Sequence, residues 1–488
     1  MNILNTRSAT IAPSSGVLFK RTTSKDSRAH AKPLEISRKD SRGGHRLAFR
    51  CVYLFTLLVY LRPHEVMPGV FGGLQLPKLV AISAILIYTA SKLSAGESVI
   101  IWTVEVKMVA LLWTLGLLLV PFAASPGDSF NVLFDPLIKI LLIFIMQISL
   151  IDTRSRLRKM LGIMVFCETL YAFSSINTFF SGGYAETSSF HTRITGWGNQ
   201  FGNPNDIACV LALMLPFTVI FALISRGFKR WLFFACAGLS ALAILLTFSR
   251  SGFIALALAS GLIIWKFARG RRLKIALPVI VVVAVLFAAM PGKYKTRLST
   301  IFNPQTDTTN SAQERQEQML RGVTLAVTRP IVGVGMGNFH IYGIKELRAH
   351  NAFLETAAEL GMLGLIAFLI IIFAPWRSLR RIERETAANG ARPDTEKQIV
   401  SVCLQASFAA FIIYAFFGSI QYDSYLYYLV AFSVALRRID TAEVEESAHA
   451  GDGAALPELK APDRPTRGSL WRSREFRGRR LKAIGGSR

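Results

Sequence analysis

Twelve apolar runs restrict this chain to one class of fold, because most of them have the length that a helix needs to cross a bilayer; only the first is short and the last marginal. A bilayer core requires about 20 apolar residues per helix, with a range of roughly 17 to 25. The runs lie near residues 47–61, 76–93, 105–123, 132–151, 160–180, 206–224, 231–248, 252–268, 274–291, 351–376, 399–418 and 424–437. Because a helix satisfies its own backbone groups in lipid, the sequence predicts an all-α integral membrane protein with about twelve transmembrane helices.

The composition supports a membrane protein and argues against other classes. Hydrophobic residues make up 52% of the chain and charged residues only 18%, whereas soluble domains carry about 25% charged residues. The net charge of +25 does not indicate nucleic-acid binding, because the lysines and arginines lie in the tails and short loops rather than in a basic stripe with exposed aromatics. The five cysteines all fall within apolar runs and have no CxxC spacing, which predicts core thiols rather than disulfides or a zinc site.

The short loops between the runs alternate between basic and non-basic, which predicts an orientation. The basic ones lie at 154–159, 226–230, 266–274 and 377–384, and both tails fall on the same side. The positive-inside rule assigns that side to the cytoplasm. The sequence therefore predicts a disordered basic cytoplasmic tail (1–46), a polytopic membrane domain (47–437) and a disordered cytoplasmic tail (438–488), with a long periplasmic loop over 292–350 that contains short helices.

Two polar turns on the predicted periplasmic side are not explained by membrane crossing. The first runs from Arg193 to Asn205, where Asn205 is the predicted N-cap of the next helix and Arg193 is a candidate for binding an anion. The second contains Arg250, a single arginine between two apolar helices. A snorkelling side chain would explain it, but the cost of placing a guanidinium near hydrocarbon favours a function, and its planar fork of donors fits a diphosphate.

The long loop adds a helix and two further arginines. Ser311-Ala-Gln-Glu314 fits a capping box, and the apolar residues that follow recur at helical spacing, so 311–328 is predicted to be a helix. Arg315 and Arg321 on its polar side are either solvated or in contact with an anionic headgroup. The run Gly333-Val-Gly-Met-Gly337 lacks GxGxxG and a Walker lysine, so no nucleotide site and no cofactor are expected.

His350 is the candidate proton acceptor. Imidazole titrates near neutral pH and can take a proton from a hydroxyl, although a hydrogen-bonding interface histidine is the alternative. Asn351 directly after it can cap the following helix. His340 and His350 are ten residues apart without a third ligand at metal spacing, so no metal site is expected. Glu355, in the apolar run that follows, is predicted to have a functional or paired role, as is Glu359.

Four motifs, taken together, resemble one family. They are Gly-Asn-Pro-Asn-Asp after Arg193, Phe-Ser-Arg-Ser-Gly around Arg250, Gly-Val-Gly-Met-Gly-Asn-Phe from Gly333, and Ala-His-Asn-Ala-Phe-Leu-Glu around His350. Their order and spacing over 190–370 resemble the bacterial O-antigen ligases and related polysaccharide polymerases. The resemblance implies a metal-independent, inverting glycosyltransferase of the inner membrane, which takes a glycan from undecaprenyl diphosphate at the periplasmic face.

The resemblance also implies roles for individual residues. Arginines matching Arg193 and Arg250 would hold the diphosphate, and the histidine matching His350 would be the base; Arg321 and Asn351 are further substrate-binding candidates. The acceptor would be lipid A core or another hydroxyl, with membrane lipids as the surroundings and no nucleic acid. A polymerase that joins lipid-linked repeat units remains open. A transporter also remains open, although it would favour charges near the midplane, where Glu168 is the main example. A structural scaffold of an export machine is the third alternative.

Overall fold

The computed structural model describes residues 32–63, 69, 76–182, 185–187, 190–194, 203–267, 311–388 and 395–453. The chain divides into a unit Met1–Thr441 and a unit Ala442–Arg488. The first unit holds a bundle of long helices, and the described part of the second unit is the end of the last helix.

The helices follow one another with short connections. In chain order they are α1 (Lys32–Leu61), α2 (Leu76–Ser94), α3 (Val104–Leu119), α4 (Pro126–Val132), α5 (Ile138–Leu150), α6 (Arg154–Phe180), α7 (Pro204–Ile224), α8 (Phe228–Leu246), α9 (Arg250–Phe267), α10 (Ser311–Thr328), α11 (Phe339–Tyr342), α12 (Ala352–Ala388), α13 (Thr395–Phe417) and α14 (Ser424–Gly453). A turn of 3-10 helix (Val120–Phe122) extends α3, a turn of π-helix (Leu133–Leu137) joins α4 to α5, and a 3-10 turn (Ile344–Glu346) follows α11.

The predicted spans agree with the observed helices. Among the described residues, nine helical stretches are long and apolar enough to cross a membrane, and they correspond to nine of the twelve predicted spans. The runs 47–61 and 424–437 lie within α1 and α14, which are helical but not among these nine. The run 274–291 lies outside the described residues. The chain is a multi-pass membrane protein.

Several helices extend past the ends of their apolar runs. Helix α12 continues to Ala388 and α14 to Gly453, and α1 begins at Lys32, within the segment that was expected to be a tail. Hydropathy marks where a helix leaves hydrocarbon, not where its backbone hydrogen bonds stop. Polar helix formers such as those in 440–447 therefore continue the helix beyond the apolar run.

Ion pairs gather the helix termini at one end of the first unit, here called the basic end. Arg437 of α14 donates to both carboxylate oxygens of Glu105 at the start of α3, at 2.7 and 2.9 Å. Lys266 at the end of α9 pairs with Glu383 late in α12, and Lys397 early in α13 pairs with Asp440 late in α14. The other termini of these helices lie at the opposite end of the unit, here called the loop end.

A short hairpin departs from the all-α prediction. Ala185–Thr187 and Phe190–Arg193 pair as antiparallel strands β1 and β2 after the glycine turn that follows α6. The segment lies between two apolar runs, so hydropathy carries no information about its local structure. The helix predicted over 311–328 is confirmed as α10, with the same bounds.

Candidate functional site

A cavity of about 400 Å³ opens at the loop end and is here called the His350 cavity. The first turns of α7 and α9, the end of α13, residues 346–350 and residues 418–425 surround it. Its charged and hydroxyl-bearing lining includes Asp206, Ser251, Arg315, Arg348, His350, Ser419 and Asp423. Chain segments from positions 203 to 425 therefore meet around a single space.

The first turn of α7 is fixed by a cap and by a tyrosine. Asn203 is the N-cap, and its side-chain oxygen accepts a hydrogen bond from the Asn205 N–H at 2.9 Å. The prediction of Asn205 as the cap is wrong by two residues, because Pro204 takes the first helical position, where a missing N–H costs nothing. The Tyr414 hydroxyl of α13 donates to the Asn205 carbonyl. The turn that holds Asp206 beside the cavity is thereby anchored to a neighbouring helix.

The turn that carries Arg250 is equally constrained. Phe248 has a φ of 52°, and the Ser249 hydroxyl accepts from the Gly252 N–H at 3.3 Å at the start of α9. A Cβ at Gly252 would lie 2.7 Å from the Cβ of Ala208, so only glycine allows α9 to approach α7 this closely. Arg250 is half-buried at the first residue of α9, and its neighbour Ser251 lines the cavity.

A buried carboxylate holds the turn at His350. The His350 N–H donates to the Ser419 hydroxyl oxygen at 3.1 Å, and that hydroxyl donates to Glu355. The Ala349 N–H at 3.1 Å and the Gln421 amide at 2.9 Å also donate to the Glu355 carboxylate. Glu355, which is 2% exposed, therefore links the histidine turn to the segment between α13 and α14.

The backbone conformation of His350 is unusual and is supported on both sides. Its φ is 52°, in the left-handed region that non-glycine residues rarely adopt. The Asn351 side-chain oxygen accepts from the N–H groups of Phe353 and Leu354, both at 3.0 Å, which confirms the predicted cap of α12. With that oxygen occupied, the contribution of Asn351 visible in the structure is to fix the histidine turn rather than to contact a ligand. Strain maintained in this way is found most often at functional sites.

The electrostatics of the cavity keep the histidine neutral. Burial, followed by the positive charges of Arg315 and Arg348, lowers the pKa of His350 below its usual 6.5, while Glu314 opposes the shift. Burial and the neighbouring Asp206 raise the pKa of Asp423 to about 7, against the effect of Arg348. At neutral pH the cavity therefore holds a neutral imidazole that can accept a proton, with two guanidinium groups facing it.

The glycine run next to the site is a packing element. Gly333, Gly335 and Gly337 have φ values of 66°, 97° and 76°. A Cβ at Gly335 would overlap Ala123, and one at Gly337 would lie 2.7 Å from a methyl group of Val132. Positive φ and close approach together explain why the run is glycine-rich.

A second buried glutamate joins this run to α12. Glu359, which is 1% exposed, accepts from the Phe339 N–H at 3.2 Å and from the Tyr422 hydroxyl at 2.7 Å. Its backbone carbonyl accepts from the Gly335 N–H at 3.0 Å. Helix α12 breaks two residues later at Gly361, where φ is 67° and the Met362 N–H donates to the Pro330 carbonyl at 2.7 Å.

The structure brings some of the predicted residues together and places others elsewhere. His350 lines the cavity. Asn351 and Arg250 are not among the lining residues, but each directly adjoins one that is, His350 and Ser251 respectively. Arg321 does not line the cavity: its guanidinium donates to the Tyr342 carbonyl at 2.9 Å and ties α10 to α11. Arg193 is the last residue of β2, and its side chain lies outside the described residues.

Four charged residues that line the cavity are not among the predicted site residues: Asp206, Glu346, Arg348 and Asp423. Arg348 lies two residues before the histidine, immediately before the motif around it. Asp206 directly follows Asn205, the predicted cap. Asp423 lies in the short connection between the last two spans, and its position in a predicted periplasmic turn is the signal that could have found it. Among the described residues, no group of three His, Cys, Asp or Glu side chains is placed to hold a metal ion.

Comparison with known proteins agrees with the motifs. Residues 235–369 match the family model described as O-antigen ligase. The matched region runs from within α8 to the middle of α12 and includes Arg250, Arg348 and His350, whereas Arg193 precedes it. The curated proteins include no match to the chain. The resemblance seen in the motifs is thereby confirmed over the matched residues.

Proposed function

We propose that this membrane protein, whose residues 235–369 carry an O-antigen ligase domain, transfers a glycan from an undecaprenyl-diphosphate carrier to an acceptor hydroxyl. The observation that carries the proposal is the His350 cavity, where a half-buried imidazole with a lowered pKa faces two arginines. The family is one of enzymes, and the specific reaction is our inference from this arrangement.

The donor end of the reaction needs positive charge that is in place before the bond breaks. When the glycan leaves undecaprenyl diphosphate, negative charge develops on the diphosphate oxygen. Arg315 and Arg348 line the cavity, and Arg250 begins the helix beside it. A guanidinium can donate two parallel hydrogen bonds to a phosphate, which suits this leaving group better than a lysine does. Preorganised charge of this kind is often the largest single contribution to catalysis.

The acceptor end needs a base. In the proposed step the acceptor oxygen attacks the anomeric carbon, its proton passes to the neutral imidazole of His350, and the bond from that carbon to the diphosphate oxygen breaks. Direct displacement of this kind inverts the anomeric centre. The guanidinium groups supply the positive charge, so the proposed reaction is independent of a metal ion.

The proposed location follows from the loop charges. The basic loops fall at the basic end, which the positive-inside rule assigns to the cytoplasm. Both termini would then be cytoplasmic, and the His350 cavity would open to the periplasm of the inner membrane. Because the diphosphate linkage of the donor supplies the energy of transfer, the proposed reaction needs no nucleotide-binding domain.

Reconstitution of the full chain in proteoliposomes with an undecaprenyl-diphosphate oligosaccharide tests the proposal. Product sizing with lipid A core as the acceptor separates the two reactions of this class. A single shift of lipid A core identifies a ligase, and a ladder of lipid-linked chains identifies a polymerase. Movement of the lipid across the bilayer without any transfer would contradict the proposal and indicate a transporter.

The sharpest single variant is His350→Ala. General-base assistance is worth about 10²–10⁴ in rate, so we expect transfer to fall by at least 100-fold while membrane insertion is unchanged. His340→Ala is the matched control, because His340 contacts the Gly337 carbonyl at 2.9 Å and does not line the cavity. A loss of less than tenfold for His350→Ala would contradict the role of base.

A further inference from the structure

Helix α10 exposes an apolar surface, although it is not one of the nine described stretches that could cross a membrane. Leu320, Val323 and Val327 recur at spacings of three and four residues, and all three are exposed; Val327 is 72% exposed. Ile331, just after the helix, is 81% exposed. These four residues are here called the α10 stripe. A helix that faces water carries polar residues on its outer side, so a contiguous apolar stripe indicates a contact surface.

The opposite side of α10 packs against the wall of the His350 cavity. A Cβ at Gly322 would lie 3.4 Å from the Cβ of Leu354 on α12. Leu325 packs against the buried cluster that contains Ala349, the residue before the histidine. Arg315, near the start of the helix, lines the cavity itself. Helix α10 therefore supports the histidine turn from behind while its stripe points away from the protein.

A third side of α10 is polar and exposed. Glu317, Arg321 and Thr328 lie on it. At 3.6 residues per turn these three positions fall within about 40° of one another and roughly 100° from the centre of the stripe. The exposed surface of the helix is thus divided into a polar half and an apolar half. This division is typical of a helix at the boundary between water and hydrocarbon.

Packing against α12 places the stripe at the depth of a membrane span. Helix α12 is a candidate span that begins at Ala352. Gly322 meets Leu354, and three residues later Leu325 meets the cluster that contains Ala358. The two helices therefore run in the same direction from the loop end, and the end of α10 lies deeper in the bundle than its start.

The turn after α10 joins the stripe to an exposed apolar part of the span. The Met362 N–H donates to the Pro330 carbonyl at 2.7 Å, at the break in α12. Met362 is exposed, as is Leu363 after it, and Ile331 of the stripe follows Pro330 directly. The stripe is therefore continuous with side chains that a multi-pass membrane protein presents to lipid.

The returning glycine run meets the condition for backbone at this depth. Irregular backbone is tolerated within a membrane only where the protein buries it and satisfies its hydrogen bonds. Val334 and Met336 are fully buried. The N–H groups of Val334 and Gly335 donate to the carbonyls of Ala358 and Glu359 at 2.9 and 3.0 Å. The chain thus enters beside α12 as a helix and leaves as a covered, glycine-rich strand of backbone.

We infer that α10 and the turn after it form a re-entrant element, whose stripe is embedded among the lipid chains of the leaflet at the loop end. Lipid hydrocarbon is the partner that fits, because the stripe contains no polar residue and adjoins the exposed side chains of a span. The bilayer then holds α10 from outside, and α10 holds the histidine turn from inside. The lipid contact goes beyond the proposed function, since it requires no glycan transfer.

A fluorophore attached at single positions tests the contact with lipid. The label nitrobenzoxadiazole is placed at Val327→Cys and Leu320→Cys in the stripe, and at Glu317→Cys on the polar side as the matched control. Cys51 and Cys236 are first replaced by alanine, because the other three cysteines are buried. In proteoliposomes, doxyl-labelled phosphatidylcholine should quench the two stripe labels severalfold more than the control, and aqueous iodide should quench the control severalfold more than the stripe.

Two outcomes would overturn the inference. If iodide quenches the stripe labels as strongly as the control, the stripe lies in water. If neither quencher reaches them, protein covers the stripe, whether residues 268–310 of this chain, a second copy or another partner. Quenching is measured without donor or acceptor, so the result stands whether or not the protein transfers glycan.

Val327→Asp provides a second readout, because a carboxylate is expelled from hydrocarbon. In this variant the label at Leu320→Cys should become accessible to iodide, and the initial rate of transfer should fall severalfold as the histidine turn loses its support. Thr328→Asp, on the polar side, should change neither. A Leu320→Cys label that stays inaccessible to iodide in Val327→Asp would contradict the lipid contact. An unchanged rate with an accessible label would mean that the lipid contact does not position the histidine turn.

Discussion

Buried carboxylates at the two ends of the bundle are satisfied in different ways. At the basic end Glu105 is 0% exposed and accepts two hydrogen bonds from the Arg437 guanidinium. At the loop end Glu355 and Glu359 are almost as deeply buried, yet within the described part of the chain every donor to them is neutral. These donors are backbone N–H groups, two hydroxyls and one amide.

The difference shows that the loop-end glutamates are satisfied without an ion pair to a cation. A buried carboxylate needs hydrogen bonds, and neutral donors can supply them without an ion pair. At the basic end the cation is bound to the protein's own carboxylate and stabilises helix packing. At the loop end Arg315 and Arg348 line the cavity instead of binding Glu355 or Glu359. A prediction that follows is that cations at the loop end affect transfer and cations at the basic end affect stability.

The largest effect is expected for Arg250→Ala. Loss of the guanidinium that is proposed to bind the diphosphate should abolish transfer while expression and insertion stay normal, as measured by transfer in proteoliposomes at matched protein amounts. Arg250→Lys should recover only part of the rate, because a lysine lacks the bidentate fork. Normal transfer by Arg250→Ala would remove this arginine from the site, and full activity with lysine would mean that a point charge suffices.

Arg437→Ala is the counterpart at the basic end. Removing one partner of a buried pair leaves a buried charge unpaired and costs about 3 to 5 kcal/mol. We expect a clear drop in the thermal unfolding midpoint in detergent, with the KM for donor and acceptor unchanged in the protein that remains folded. A stable Arg437→Ala protein with impaired donor binding would reverse the proposed division of roles.

A smaller effect is expected for Ser419→Ala, which tests whether neutral donors position the base. The Ser419 hydroxyl accepts from the His350 N–H and donates to Glu355. Its loss should lower kcat by about five- to tenfold, the equivalent of one or two net hydrogen bonds, with little change in the donor KM. Ser419→Thr keeps the hydroxyl and should restore most of the rate, whereas equal losses for Ala and Thr would indicate a steric role.

The smallest effect is a shift in pH dependence. As the proposed base, His350 would act in its neutral form. We therefore expect kcat/KM to fall at low pH as the imidazole becomes protonated, at a pH below 6.5, because burial and the two arginines lower its pKa. In Arg348→Gln one of those charges is gone, the pKa of His350 rises, and the acid limb should move to higher pH. Asp423→Asn should keep the decrease in kcat/KM at low pH. If that decrease disappears in Asp423→Asn, it belongs to the aspartate rather than to His350.

The sequence predicted the parts of this molecule that depend on local pattern. Apolar length located the spans, a capping box and the helical spacing of the apolar residues gave the bounds of α10, and Asn351 was predicted to be a cap. The position of Arg321 shows the limit of such reasoning. Arg315 and Arg321 are six residues apart, about 240° around a helix of 3.6 residues per turn. Both were on the polar side, and only tertiary packing decides which of them faces the cavity.

Long-range contacts could not be predicted from one sequence. Ser419 meets His350 across 69 positions, and Tyr414 meets Asn205 across 209. Neither partner belongs to a motif with a known spacing. The glutamates of α12 were expected to have a functional or paired role, and the structure assigns them to holding the histidine turn and the glycine run. The sequence pattern identified the two glutamates, but only the packing of α12 against its neighbours shows which groups they bind.

The break at Gly361 divides the apolar run of α12 into two parts. The apolar residues after it, 362–376, would measure roughly 22 Å at 1.5 Å per residue, which is shorter than a hydrocarbon core of about 30 Å. The nine residues before the break are therefore part of the crossing as well. The same nine residues contain Glu355 and Glu359, whose carboxylates accept from the N–H groups of Ala349 and Phe339. A single short segment thus completes the membrane span and supports the histidine turn.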